Sequence, residues 1–79
     1  MREIIIECEN LSPAQLHGKI GEALAFPSWY GANLDALYDC LTDLEEDTHL
    51  ICRQLHDAAF RATLLEASLA SRKLTVTLE

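Results

Sequence analysis

"WYGANLDALYDCLTDLEED", from Trp29 to Asp47, is the stretch on which the fold turns. Asn33 is a good N-cap, because its side-chain oxygen can accept a backbone amide that the first helical turn leaves unpaired. A helix from Leu34 to about Leu44 follows. At 100° per residue Leu34, Leu37, Cys40, Leu41 and Leu44 share one side, Tyr38 sits at its border, and Asp35, Asp39 and Asp43 line the other. One side is made for a core and the other for water. The preceding "PSWYG", Pro27 to Gly31, reads as an exposed turn.

Working outward, "REIIIEC" (Arg2 to Cys8) is a short β-branched run that predicts a strand buried on both faces. Ser12 as N-cap, Pro13 at the first helical position, Gln15 completing a capping box and Leu11 stapling onto Leu16 predict the start of another helix. Leu16, Ile20, Ala23 and Leu24 keep that helix on one face until Pro27 forces the chain out. Downstream, "HLIC" (His49 to Cys52) is a strand candidate, and Asp57 can cap a third helix through Phe60, Leu64, Leu65 and Leu69. "KLTVTL" (Lys73 to Leu78) closes the chain as a strand with Leu74, Val76 and Leu78 alternating. The order is β-α-α-β-α-β. This is the α/β class: a small, three-stranded, mainly parallel sheet joined by right-handed helical crossovers, with three helices against it.

The 79 residues make one small domain, 1–79, and the 49% hydrophobic and 24% charged fractions predict a compact, soluble fold. No apolar run approaches the ~18 residues of a membrane span, and "MREIIIECEN" lacks the long apolar region of a signal peptide. The expected compartment is the cytoplasm, with no membrane partner. Cys8, Cys40 and Cys52 form no CxxC pair and no zinc spacing, so they are expected as buried, reduced thiols.

The net charge of −7 is unevenly spread. Between Ile20 and Cys52 there is no Lys or Arg, while Glu22, Asp35, Asp39, Asp43, Glu45, Glu46 and Asp47 supply seven negatives; elsewhere six acids and six bases cancel. Such a field repels nucleic acid and attracts a basic partner. Asp35, Asp39 and Asp43, at i, i+4 spacing, repel one another with no base in the helix to offset them. A solvated face on an acidic protein is one reading of that row. A hard cation is another, although Ca²⁺ needs six to eight oxygens from a folded loop. A catalytic carboxylate pair is a third; no nucleophile-base motif or phosphate-cradling loop accompanies it, and His17, His49 and His56 lie in separate elements, each expected as a surface or half-buried residue rather than a catalyst. The fourth is a protein-binding face, with Trp29 and Tyr30 as aromatic anchors beside the charge, suited to a basic concave site built for phosphate.

"YGANLDALYDCLTDLEED", within its β-α-α-β-α-β setting, resembles the barstar family, intracellular inhibitors of barnase-type ribonucleases. Tyr30, Gly31, Asn33, Leu34, Asp35, Leu37 and Asp39 carry the specific part of the pattern, and "LLEASLASRKLTVTL" resembles the family's last helix and strand. The resemblance spans nearly the whole chain, with about ten residues fewer between the second strand and the last helix. It implies an inhibitor without cofactor, metal or catalysis. Asp39 would stand in for a substrate phosphate, Asp35 and Glu66 would meet basic residues, and Trp29, Tyr30, Asn33, Tyr38, Thr42 and Asp43 would complete the contact. The implied partner is a secreted or delivered ribonuclease, bound 1:1 by a monomer. An immunity protein against a delivered nuclease toxin and an acidic adaptor for a basic regulatory protein are the alternatives. Relative to the family pattern, Trp29 replaces a tyrosine, Tyr38 a tryptophan, and Asp43-Leu44 a glycine-tryptophan pair; Asp43 therefore adds a carboxylate and Leu44 removes an aromatic.

Overall fold

The computed structural model describes all 79 residues. The elements are β1 (Arg2–Glu7), α1 (Pro13–Ala23), α2 (Leu34–Thr42), β2 (Thr48–Arg53), α3 (Ala58–Ala70) and β3 (Leu74–Leu78), in the expected order. The sheet order is β1-β2-β3 and both pairings are parallel, so the sheet is wholly parallel. Each crossover steps to the neighbouring strand in the same direction. Right-handed connections then put every helix on one face.

Burial agrees with that arrangement. Ile4, Leu50 and Val76 lie side by side in register, as do Ile6, Cys52 and Leu78, and these rows pack with residues of all three helices into one core. Ile20, Leu37, Leu41, Leu50 and Leu64 are fully enclosed. Burying each such side chain contributes about 1.5–3 kcal/mol. Thr48 is a buried polar residue on the core side, and its hydroxyl donates to the Glu46 carbonyl (2.9 Å) and accepts from Arg2 Nη2 (3.0 Å). Its hydrogen-bonding needs are met.

The helix starts are those the sequence predicts. Ser12 Oγ accepts from the Gln15 amide at 3.2 Å while Gln15 Oε1 accepts from the Ser12 amide at 2.8 Å, and Asp57 Oδ1 accepts from the Phe60 amide at 2.9 Å. Three expectations are corrected. β1 is not buried on both faces, because Glu3, Ile5 and Glu7 face water on the open side of the sheet, where Ile5 stays 48% exposed. α2 ends at Thr42 rather than Leu44; the Thr42 hydroxyl donates to the Tyr38 and Asp39 carbonyls (2.9 and 3.2 Å), and the Asp43 amide turns back to Cys40 O. Such back-bonding competes with helix continuation. His17 is buried rather than at the surface or half-buried, only 5% exposed.

Cys8, Cys40 and Cys52 are all buried free thiols. Burial pushes each thiol pKa up, that of Cys52 to about 12, so all three stay protonated and unreactive at neutral pH.

Candidate protein-binding face

α2 is fixed from inside by Leu37, Cys40 and Leu41, and α3 by Phe60, Leu64 and Ala67. With those faces committed to the core, the opposite positions must face out. Between the two helices they form an open groove of ≈ 440 Å³ lined by Leu34, Asp35, Tyr38, Asp39, Thr63 and Glu66. Three carboxylates from two elements thus converge on one concavity. None of them has a Lys, Arg or His within ion-pair distance, whereas four acids elsewhere (Glu3, Glu7, Glu46 and Glu79) do.

Helix electrostatics differ along α2. Asp35 lies in the first turn, where the positive end of the helix dipole favours a carboxylate, but Asp43 is the C-cap, where the negative end disfavours one, and no base occupies the last turn. Asn33 Oδ1 accepts from the Ala36 amide at 2.8 Å, so its oxygen is engaged in capping. The Thr42 hydroxyl donates to backbone carbonyls within its own helix.

The two aromatics of "WY" separate. Trp29 is 63% exposed and borders a second concavity, on the other flank of α2, together with Asp43. Tyr30 turns inward: its hydroxyl hydrogen-bonds His17 Nδ1, and its ring meets Phe26 edge-on at 4.9 Å. Gly21 of α1 lies against the same ring, at ordinary van der Waals spacing. His17 packs in turn against Phe60 of α3 at 4.7 Å between ring centroids. Burial pushes the Tyr30 phenol up to about 12 and, against the opposing influence of Asp57, lowers the His17 pKa. The loop that carries Trp29 is therefore tied through Tyr30 and His17 to the core.

Ala25 (φ 54°) and Ala32 (φ 51°) bracket this loop, both in the left-handed region that costs a non-glycine residue roughly 1–2 kcal/mol. Phe26 N–H to Gly21 O and Tyr30 N–H to Pro27 O, each 2.9 Å, help hold the strained shape. Such strain persists only where the surrounding structure holds it.

Of the residues singled out in the sequence, the structure gathers Asp35, Tyr38, Asp39 and Glu66 in one groove and Trp29 with Asp43 in another, while Tyr30, Asn33 and Thr42 make internal hydrogen bonds. Thr63 was missed as a groove residue. Its signal was its place one turn before Glu66 on the same helix. His17 was legible too, because at 100° per residue it lies beside Ile20 and Leu24 on the apolar side of α1. No three His, Cys, Asp or Glu residues come together as a metal site.

The fold and the groove define a small α/β domain with an acidic face. Residues 1–73 match the family described as Barstar (barnase inhibitor), and the chain belongs to the barstar family. The family is one of inhibitors and not of enzymes. The chain is also similar to a Bacillus subtilis (strain 168) protein named "Putative ribonuclease inhibitor YrdF", 49% identical over 43 residues, which are 53% of this chain and 47% of that one. The match thus spans about half the length of that curated relative.

Proposed function

We propose that this protein inhibits a ribonuclease by occupying its basic active site. The observation that carries the proposal is the convergence of Asp35, Asp39 and Glu66, from two helices, on one groove in which no cation neutralises them. Asp39, in the middle of α2, stands where a substrate phosphate would stand among the enzyme's basic residues. Asp35 and Glu66 flank it and meet further cations. Tyr38 supplies apolar contact beside Asp39, and Trp29 adds an exposed aromatic at the rim. Membership in the barstar family and the likeness to a relative named as a ribonuclease inhibitor support this reading.

The chain acts as a 1:1 partner of a secreted or delivered ribonuclease and works in the cytoplasm, where such an enzyme would otherwise destroy RNA. Its excess negative charge, −7 overall, steers the encounter. Exposed charges screen over ~8 Å at physiological ionic strength, so the association rate falls as salt rises.

Titration into an RNA-cleavage assay with a barnase-type ribonuclease, at low and moderate salt and beside Asp39→Ala, tests the proposal. Stoichiometric inhibition by the wild-type chain and its loss in the variant is the expected result. Equal inhibition by both proteins would rule out the phosphate-mimic mechanism.

A further inference from the structure

The sheet has two free edges, because β1 and β3 each pair with β2 alone. Along β3 the Thr48 amide donates to Lys73 O (2.7 Å), the Glu79 amide to Cys52 O (2.9 Å) and the Gln54 amide to Glu79 O (3.0 Å), so the odd-numbered residues are bonded to β2. The N–H and C=O groups of Leu74, Val76 and Leu78 therefore point out from the edge, where no other element meets them. On β1 the Arg2 and Cys8 amides donate to Asp47 O and Arg53 O (both 2.8 Å), and the outward groups belong to Glu3, Ile5 and Glu7.

The two edges are guarded differently. Charge, proline or a bulge commonly blunts an edge strand against pairing with another chain. A second β1 laid antiparallel about Ile5 would set Glu3 against Glu7 at both ends, and like charges directly opposite destabilise a pair. β3, "LTVTL", has no charge, proline or glycine. Its flanks make it self-complementary: in "KLTVTLE", Lys73 to Glu79, reversal about Val76 matches leucine with leucine, threonine with threonine and lysine with glutamate. Lys73, whose Nζ donates to the Glu45 carbonyl (2.7 Å), has no carboxylate partner in its own chain.

We infer that the β3 edge pairs with the β3 edge of a second copy of this chain, antiparallel and centred on Val76, joining two three-stranded sheets into one. Val76 then faces Val76 and Leu74 faces Leu78, and each pair exchanges both backbone bonds, as the outward groups require. Between them lie the closer, non-hydrogen-bonded pairs, Thr75 beside Thr77 and Lys73 beside Glu79. On the open face Arg53 joins Glu7 (3.1 Å) to Glu79 (3.0 Å), and Lys73 of the second copy continues that row, so charges alternate across the junction. One strand pair is a small contact beside the roughly 1,200–2,000 Å² buried in a stable complex, so the association is reversible and rises with concentration. The acidic groove is built within a single chain, so each copy keeps its own, and the inference does not rest on the ribonuclease reading.

Sedimentation velocity over a dilution series reaching millimolar concentration, at fixed ionic strength, compares the wild-type chain with Lys73→Glu, Glu79→Lys and the double reversal. The wild-type chain should pass from monomer to dimer as concentration rises. Each single reversal should dimerise about three- to thirtyfold more weakly, because two like-charged pairs replace two opposite ones, and the double reversal should regain the wild-type behaviour. Glu79→Lys is the most telling variant. It makes the chain less negative than −7, which by itself would ease association, and yet it should weaken the dimer. Amide hydrogen exchange locates the contact: Leu74, Val76 and Leu78 should exchange more slowly as concentration rises, and Glu3, Ile5 and Glu7 should not change. A wild-type chain that stays monomeric throughout, a dimer strengthened by Glu79→Lys, or protection arising on β1 instead of β3 would overturn the inference.

Discussion

On the open face of the sheet Glu3 lies 3.6 Å from His49, and Arg53 reaches Glu7 at 3.1 Å and Glu79 at 3.0 Å. On the helical side Asp35, Asp39, Asp43 and Glu66 are equally exposed and have no cation within reach. The sheet pairs join residues aligned across strands, Glu3 beside His49 and Glu7 beside Arg53, where like charges would oppose strand pairing. The helical acids gain nothing comparable, and α2 tolerates their repulsion because Leu37 and Leu41 hold its other side in the core. The acids of the sheet are held by partners within the fold. Those left bare are available to a partner.

The largest effect expected is one that breaks α2 from inside. Leu37→Ala empties a fully enclosed site and should lower unfolding free energy by about 2–5 kcal/mol in urea titrations, enough to threaten a domain this small. Asp39→Ala, two residues away on the outer side, should leave the unfolding free energy within about 0.5 kcal/mol of wild type. Its loss should instead fall on binding, by about 3 kcal/mol or a hundredfold in Kd by calorimetry with the ribonuclease, because enzyme cations would be left buried and unpaired. A large stability loss in Asp39→Ala would mean that the outer side of α2 also serves the fold.

The link from loop to core runs through two titratable groups, His17 and Tyr30. Burial lowers the folded pKa of His17 below its ordinary 6.5, so the unfolded chain takes up that proton first as pH falls. The stability from neutral His17 is complete above about 6.5 and is lost as pH drops from there through the folded value. His17→Gln should flatten that part of the pH–stability curve. At the other end, Tyr30 is raised to about 12, so its contribution is complete below the ordinary value near 10 and is lost as pH climbs from 10 toward 12. Ultraviolet titration of tyrosinate, with Tyr30→Phe as control, would show this late step. Arg53→Gln should have the smallest effect: two exposed, solvent-screened pairs disappear, the urea unfolding curve barely moves, and inhibition is unchanged.

Much of this was readable from particular residues. Ser12, Asn33 and Asp57 start their helices because capping is a local bond between a side chain and an amide three residues on. Ile5 misled because a run of three isoleucines looks alike whether one or both faces are covered, and only the one-sided placement of the helices leaves it in water. The end of α2 was misplaced because Leu44 continues the apolar pattern and packs against the core from beyond the helix. Tyr30 could not be told from Trp29 by sequence. Their fates were separated by the bond of Tyr30 to His17 of α1, a contact that no local rule sets.

By itself the sequence determined the order of elements, the helix starts, the apolar sides of the helices and the concentration of negative charge in one third of the chain, all properties of neighbouring residues and their period. Only the tertiary structure decided that Glu66 joins Asp35 and Asp39 around one groove, that Trp29 and Asp43 share another, and that the sheet's acids are paired while the groove's are not. Those outcomes depend on how α2 and α3 pack on a parallel sheet, and packing brings together residues that no local rule relates.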